Sequence, residues 1–550
     1  MAFAELQAED ERFGLRRLAI VFAVMLATLL EIVDSSIVNV ALPDMMGNLG
    51  ATLDEIGWVI TGYILSNVIV VPMTSWFAMR FGRKRYFVSS ILFFTAASVA
   101  CGFAATLPQL VLFRVLQGLG GGALLATSQV IMVESFPASQ IGMAQALFGV
   151  GVMIGPSLGP TLGGWITDHY TWRWIFFINL PLGLLAAFMC ITALQDPDSM
   201  KDRRAPSVDW AGIALLIVAV GSLQMVLERG HRLDWFESRE ITTFAILAVA
   251  GAIAFVWREL TAEHPVVDLR VLKHRSLAVG CTYGTLIGLG LYGSIFLFPV
   301  YTQTLLGWTA WQSGLAALPS SIATAIMMGF AGRLSRSSGP RPVFLFGVCV
   351  FMLGVWGMAG WTLQSGWDDL FWPQVARGIG LGAMFVPLSV ATLGGLPMAA
   401  VPQGAGLYSL FRQLGGSAGV ALLATILEQR TAVHRAQLAD HVSLLDVETW
   451  TRLSTLTAGF MQHGLDLASA QTASLTLLAG ALKAQASMLA FSDCYRFVLL
   501  LFIVCTPLAF LLRRPTLFRP PGSEDLSHSA LRRLPISSGS IPKLGRVPLC

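Results

Sequence analysis

The chain has 550 residues, 55% of them hydrophobic and only 12% charged, with a mean hydropathy of +0.68. A soluble domain carries roughly 25% charged residues, so these charges are too few to coat a globule of this size. The composition excludes a water-soluble enzyme or nucleic-acid-binding domain and makes a bilayer the expected solvent. The formal net charge of +4 says less than where the basic residues fall.

A membrane span needs roughly 20 apolar residues. About fourteen such runs are predicted, near 18–42, 55–77, 86–105, 110–133, 141–164, 173–194, 209–228, 240–257, 276–300, 312–332, 343–363, 373–395, 404–427 and 495–512. The first is too long for a cleaved signal peptide, and many like it follow. Lys and Arg in short loops mark the cytoplasmic side. With the N-terminus (1–17) inside, the inner loops hold Arg80, Arg83, Lys84 and Arg85; Lys201, Arg203 and Arg204; Arg258, Arg270, Lys273 and Arg275; and Arg333, Arg336 and Arg341. Arg513 and Arg514 follow in the tail. Outer loops 43–54, 302–311 and 364–372 hold none; 229–239, with Arg229, Arg232 and Arg239, is the exception. Both termini are therefore expected in the cytoplasm.

Span one carries two carboxylates, Glu31 and Asp34, in LLEIVDSSIVNVALP (29–43). A charge there costs a few kcal/mol on insertion scales. The i, i+3 spacing puts both on one helical face, continued by Ser35 and Val38, while Ile32, Val33 and Ile37 meet lipid or neighbours. A low dielectric and a nearby like charge both disfavour an ionised carboxyl, so such a group suits proton uptake and release. The competing reading is a polar plug bonded to another helix, and Glu31 has a third, attraction of a cationic substrate. Trp58 and Tyr63 of span two are candidates for a pocket taking flat apolar molecules. The loop RFGRKR, with Arg80, Gly82, Arg83, Lys84 and Arg85, reads as a tight basic turn.

In span four Arg114, Gln117, Gly118 and Gly121 share a face. A mid-membrane Arg needs a partner or a wet cavity, and Asp34 and Glu31 are the acids at its depth. Span five repeats Gly151, Gly155, Gly159 and Gly163 every fourth residue, with Pro156 and Pro160 after two of them. Such a stripe admits a close helix, and the prolines soften it; an interface between two rocking halves and plain tight packing are both open readings. In span thirteen Arg412 shares a face with Gly415, Gly416 and Gly419, as a candidate for substrate contact or pairing between halves.

FRVLQGLGGGAL (113–124) matches PQVARGIGLGAM (373–384), and GMAQALFGVGVMIG (142–155) matches GLYSLFRQLGGSAG (406–419). Both matches are eight spans apart. The expected architecture is all-α: a six-helix bundle over 18–194, an inserted pair over 209–257, and a second six-helix bundle over 276–512. Repeats of this kind place a substrate site between the halves. Residues 428–494 read as a long outer loop whose start, EQRTAVHRAQLADHV, reads as a helix continuing out of the membrane. Its Ala-rich amphipathic part is expected to lie on the bilayer or pack on a partner. Residues 513–550 read as a disordered cytoplasmic tail. Seven scattered cysteines, with no CxxC, read as apolar core residues. No metal spacing, Walker loop, HExxH or GxSxG occurs, so no cofactor is expected and an ion gradient is the expected energy source.

These stretches, with WRWIFFINLPLG (172–183), resemble the major facilitator superfamily in its fourteen-span drug:proton antiporter branch of the EmrB/QacA type. The long loop before the last span is closest to the EmrB kind. The resemblance implies the major facilitator fold, alternating access, and export of hydrophobic or cationic compounds against entering protons. It implies a multi-pass bacterial inner-membrane location, with a periplasmic EmrA-like adaptor and an outer-membrane channel as partners. Asp34 matches the family's span-one acid and Arg114 its span-four Arg. Gly155, Pro156, Gly159 and Gly163 match its antiporter motif. Two departures stand out. Ser75 and Met79 replace the Gly and Asp of the loop motif, and Glu31 is an extra acid. The alternatives to multidrug export are a dedicated exporter of one metabolite (a fatty acid, siderophore or natural product) and a non-transporting membrane sensor.

Overall fold

The structure is a computed structural model that describes residues 2–136, 140–195, 208–263, 265–397, 400–442 and 446–511. The expected tail and the basic residues Lys201, Arg203, Arg204, Arg513 and Arg514 lie outside the described residues. In hydrocarbon each backbone N–H and C=O must be satisfied within the chain, which favours helices. Among the described residues fourteen helices are long and apolar enough to cross a membrane. They are α1 Arg16–Leu49, α2 Trp58–Phe81, α3 Arg83–Phe103, α4 Leu107–Ser135, α5 Gly142–His169, α6 Trp174–Ala193, α7 Trp210–Arg229, α8 Arg239–Thr261, α9 Arg275–Thr304, α10 Trp311–Ser335, α11 Pro340–Met358, α12 Trp367–Leu393, α13 Val401–Ala439 and α14 Leu467–Cys505. Large apolar side chains such as Phe188, Ile253, Trp257, Phe330 and Trp356 stand exposed around the outside, the surface a bilayer would cover.

The expected all-α major facilitator architecture is what the chain adopts: two six-helix bundles and an inserted pair. The packing repeats. In the first bundle α1 packs on α5, α2 and α3 on α4, and α3 on α6; in the second α9 packs on α13, α10 and α11 on α12, and α11 on α14. Matched glycines mark matched contacts. Gly120 of α4 meets Phe94 of α3, and Gly380 of α12 meets Phe351 of α11. The turns after α2 and α10 also match: Gly82 and Gly339 both have φ of 85°, a region that favours glycine.

The halves meet where α5 packs on α10 and α13 packs on the lower part of α2. Gly142 opposes Gly332, and Gly406 approaches the Val71 carbonyl. The inserted helices α7 and α8 pack on each other, and α7 lies against both α2 and α13. The pair is peripheral: 22% of the apolar stretch of α8 is buried, against 78% for α12. Its base is pinned by Arg258, which donates from Nε and Nη2 to the two Asp209 carboxyl oxygens at 3.0 and 3.1 Å. Those hydrogen bonds hold the Asp209 carboxyl below the usual carboxylate range.

Two expectations about the last third of the chain are corrected. The final helix does not begin near 495; it runs unbroken from Leu467 to Cys505. Asp493 does not end it, because Arg430, His434 and Arg496 surround that carboxylate at 3.5, 2.8 and 3.6 Å. The segment 428–494 is not an open loop. α13 continues to Ala439, a further helix covers Val447–Gln462, and the Ala-rich stretch belongs to α14. That stretch packs on the Val447–Gln462 helix, with Thr457 donating to Ser474 at 3.1 Å.

A side chain at Gly159 would collide with Ser36 of α1. Gly159→Leu is expected to destabilise the protein by about 1–3 kcal/mol, as overpacking does, read as a lower unfolding midpoint in detergent. Gly329→Leu, with open space around it, should leave the midpoint nearly unchanged. Equal effects would show that the α1–α5 contact is not close-packed.

Candidate functional site

α1 brings Glu31 and Asp34 into the first bundle one turn apart, and they face different partners. Asp34 is wholly enclosed. Its Oδ2 accepts from Arg114 Nη1 at 2.6 Å, and its Oδ1 from Gln117 Nε2 and Asn179 Nδ2, each at 2.8 Å. Arg114 also donates from Nε to the Val59 carbonyl at 3.0 Å and from Nη1 to Gln117 Oε1 at 2.8 Å. Its guanidinium carbon lies 4.1 Å from the centre of the Tyr63 ring. Asn179 is steered by Ser98, whose hydroxyl it reaches at 2.9 Å. α4 and α6 thus converge on the carboxylate of α1, and α2 holds the arginine that meets it. To bind a proton, an Asp34 oxygen must give up a donor and become one itself.

Glu31, 6% exposed, looks the other way. Its Oε1 accepts from Asn67 Nδ2 of α2 at 3.1 Å, and its Oε2 has no partner. Across the boundary between halves stands buried Arg412 of α13. Its Nε and Nη1 are unpartnered, and its guanidinium carbon is 5.7 Å from the Phe385 ring centre. The field of Arg412 reaches Glu31. The hydroxyls of Tyr63 and Tyr408 are also buried and unbonded. Unmet polar groups in an apolar setting cost several kcal/mol each, and these gather where the two halves meet.

Of the two readings, the antiporter-motif glycines take tight packing. Gly151 lies against Met25, Gly155 against Ile32, Gly159 against Ser36 and Gly163 against Ile37, all on α1. The stripe is therefore inside the first bundle, not between the halves. The contact with α10 uses another face of α5, where Gly149 meets Met328 and Thr161 meets Gly314. Ile32 and Ser36 bracket Asp34, so the stripe sets the position of the acid. Pro156 and Pro160 are half-buried within a continuous helix.

Trp58 stands apart from Tyr63, lining a small cavity with Thr61, Glu228 and Arg232. It sits at the end of α2 under Arg229 of α7, 4.8 Å from ring centre to guanidinium carbon. In the basic turn, Arg83 forms an ion pair with Glu134 at the end of α4. Arg80 and Lys84 also have partners, and Arg85 is exposed. Ser75 is buried with an unbonded hydroxyl, and Met79, with Ser75, Arg83 and Pro402 of α13, lines a small cavity there.

Residues 24–420 match the model of the Major Facilitator Superfamily. The chain belongs to the major facilitator superfamily. Within it, the multidrug export protein EmrB of Escherichia coli (strain K12) is 36% identical over 440 residues, covering 80% of this chain and 85% of that protein. The fatty acid resistance protein FarB of Neisseria gonorrhoeae is 33% identical over 491 residues, covering 89% and 95%. The solved human organic anion transporter MFSD10 (TETRAN) shares the fold, with a TM-score of 0.55 at 13% identity, over 88% of this chain and 99% of that one.

Asn67, Ser98 and Asn179 hold the acids of the first bundle and Arg377 lies buried in the second; none of the four stands among the residues expected from sequence. Asn179 lies in the INLPLG stretch and Arg377 in the repeated glycine segment, so a scan for every polar residue in an apolar run finds both.

Removing one partner of a buried pair costs about 3–5 kcal/mol, and removing both often costs less than the sum. Asp34→Leu and Arg114→Met alone are each expected to lower the unfolding midpoint sharply, and the double variant by much less than the two together. Additive losses would sink the pairing.

Proposed function

We propose that this chain is a proton-coupled multidrug efflux transporter, exporting hydrophobic or cationic compounds by alternating access in exchange for protons. The observation that carries the reading is the buried carboxylate of Asp34, held by Arg114, Gln117 and Asn179 in the bundle that also presents Glu31 to the boundary. Asp34 is the proton carrier. Arg114 is the cation whose withdrawal frees an Asp34 oxygen for a proton. Glu31 and Arg412 face the substrate, with Tyr63 as the aromatic wall. The match to EmrB, a multidrug export protein, supports the substrate class.

The proposed location is a bacterial inner membrane with both termini cytoplasmic, a reading supported by the basic turns at Arg80–Arg85 and Arg333–Arg341. The proposed domains are 18–194, 209–257 and 276–512. The helical extension formed by α13, the Val447–Gln462 helix and α14 is proposed to meet a periplasmic EmrA-like adaptor that leads to an outer-membrane channel. A second reading, export of one amphipathic carboxylate, is favoured by the unpaired Arg412 over Phe385 and by the match to FarB. Breadth in a susceptibility screen separates the two.

Competition between substrate and proton means that substrate binding releases protons, and linkage makes the effect reciprocal. Adding lipophilic cations or neutral uncouplers to purified protein in weak buffer is expected to release protons. The release should vanish in Asp34→Asn and shrink in Glu31→Gln. Unchanged release in both variants would make the acids structural and the exchange mechanism wrong.

A further inference from the structure

The two bundles repeat their packing but not their charge balance. The glycine match that lays α4 on α12, Gly118 on Gly378, puts Gln374 in the place of Arg114 and Arg377 in the place of Gln117. Cation and amide are both present, in exchanged order, and the acid is missing. Gly155 packs on Ile32 and its counterpart Gly419 packs on Leu289. That register puts Leu291 of α9 where Asp34 stands in α1, and the matched pair Gly151 on Met25 and Gly415 on Thr285 puts Ser294 there, one turn on; both are buried and neither is an acid.

Arg377 is 5% exposed. Its Nε and Nη2 donate to Ser320 Oγ of α10 at 3.3 and 3.1 Å, and its Nη1 has no partner. Among the described residues no carboxylate pairs with it. Gln374, one turn earlier on the same face, is fully buried, and neither its amide nitrogen nor its amide oxygen is bonded. Tyr495 of α14, also buried, lies within electrostatic reach of Arg377 and has an unbonded hydroxyl. A guanidinium stays charged, and a lone buried charge is strongly unfavourable. Three unbonded donors thus stand in the interior of the C-terminal bundle around a positive charge that no carboxylate pairs with among the described residues.

We propose that Arg377, Gln374 and Tyr495 bind a small monovalent anion inside the C-terminal bundle, as a diffusible replacement for the carboxylate that Asp34 supplies in the other bundle. The fitting chemistry is an acceptor with one negative charge, a halide or a short carboxylate. This site is independent of proton exchange at Asp34.

The test is the unfolding midpoint of the purified full-length protein, titrated with sodium chloride against sodium gluconate at constant ionic strength, with bromide and acetate arms. A ligand that binds only the folded state raises the midpoint in a saturable way. The expected result is such a rise; response to both halides identifies a halide site, and response to acetate alone identifies a carboxylate site. Arg377→Gln should abolish the rise, and Gln374→Leu should shift the titration to higher concentration. Leu291→Asp supplies a tethered carboxylate, so its midpoint should stand high without added anion and respond no further; it decides the matter if Arg377→Gln fails to fold. A wild-type midpoint that follows ionic strength alone, or an anion response kept intact in both Gln374→Leu and Leu291→Asp, overturns the proposal.

Discussion

Arg114 can stand inside a lipid-embedded bundle only because Asp34 meets it at 2.6 Å. Desolvating two ions costs several kcal/mol each, and their attraction repays this only where further hydrogen bonds complete the shell. Gln117, Asn179 and the Val59 carbonyl do that here. Each in turn needs its helix at a set distance. The α5 glycines let α1 come close enough, Ser98 aims Asn179, and Tyr63 floors the guanidinium. The first bundle is organised around one neutralised pair.

The second bundle repeats the scaffold without the pair. Among the described residues the enclosed acids of the two bundles, Glu31 and Asp34, belong to the first half, while Arg377 and Arg412 of the second form no ion pair, Arg412 reaching Glu31 only through its field. Duplication kept what packing requires, the glycine contacts and the turns at Gly82 and Gly339. The polar positions diverged, because a side chain that only fills space is constrained by volume, whereas a charge is constrained by its counter-charge.

Much of this was legible from the chain alone. Hydropathy located most of the spans within a few residues, missing the long extensions of α1 to Leu49 and α13 to Ala439, and the doubled glycine segments revealed the repeat. Asp34 and Arg114 stood out as charges in apolar runs. The choice between Glu31 and Asp34 as the partner of Arg114 was not legible, since one helical turn separates them and both point inward. The facing of the α5 stripe was hidden because α5 carries small residues on more than one face. The setting of Trp58 was hidden because its neighbour, Arg229, lies in the inserted pair, far along the chain. Asn67 and Asn179 escaped because an uncharged amide in an apolar run, unlike a charge, does not call for a counter-charge. The last helix was cut short because Asp493 looks like a boundary until the side chains of α13 are set beside it.

The charged cluster at Asp493 also has a mechanical meaning. Arg430 and His434 of α13 meet Asp493 of α14, fastening the two helices so that they act as one beam. A helix of 39 residues is about 58 Å long at 1.5 Å per residue, roughly twice the hydrocarbon thickness. The beam therefore reaches far beyond its anchorage, and the Val447–Gln462 helix stiffens its far end. Tilting the second bundle by about 10° would carry that end through roughly 5 Å, a lever that turns a small movement at the buried charges into a large stroke outside the membrane.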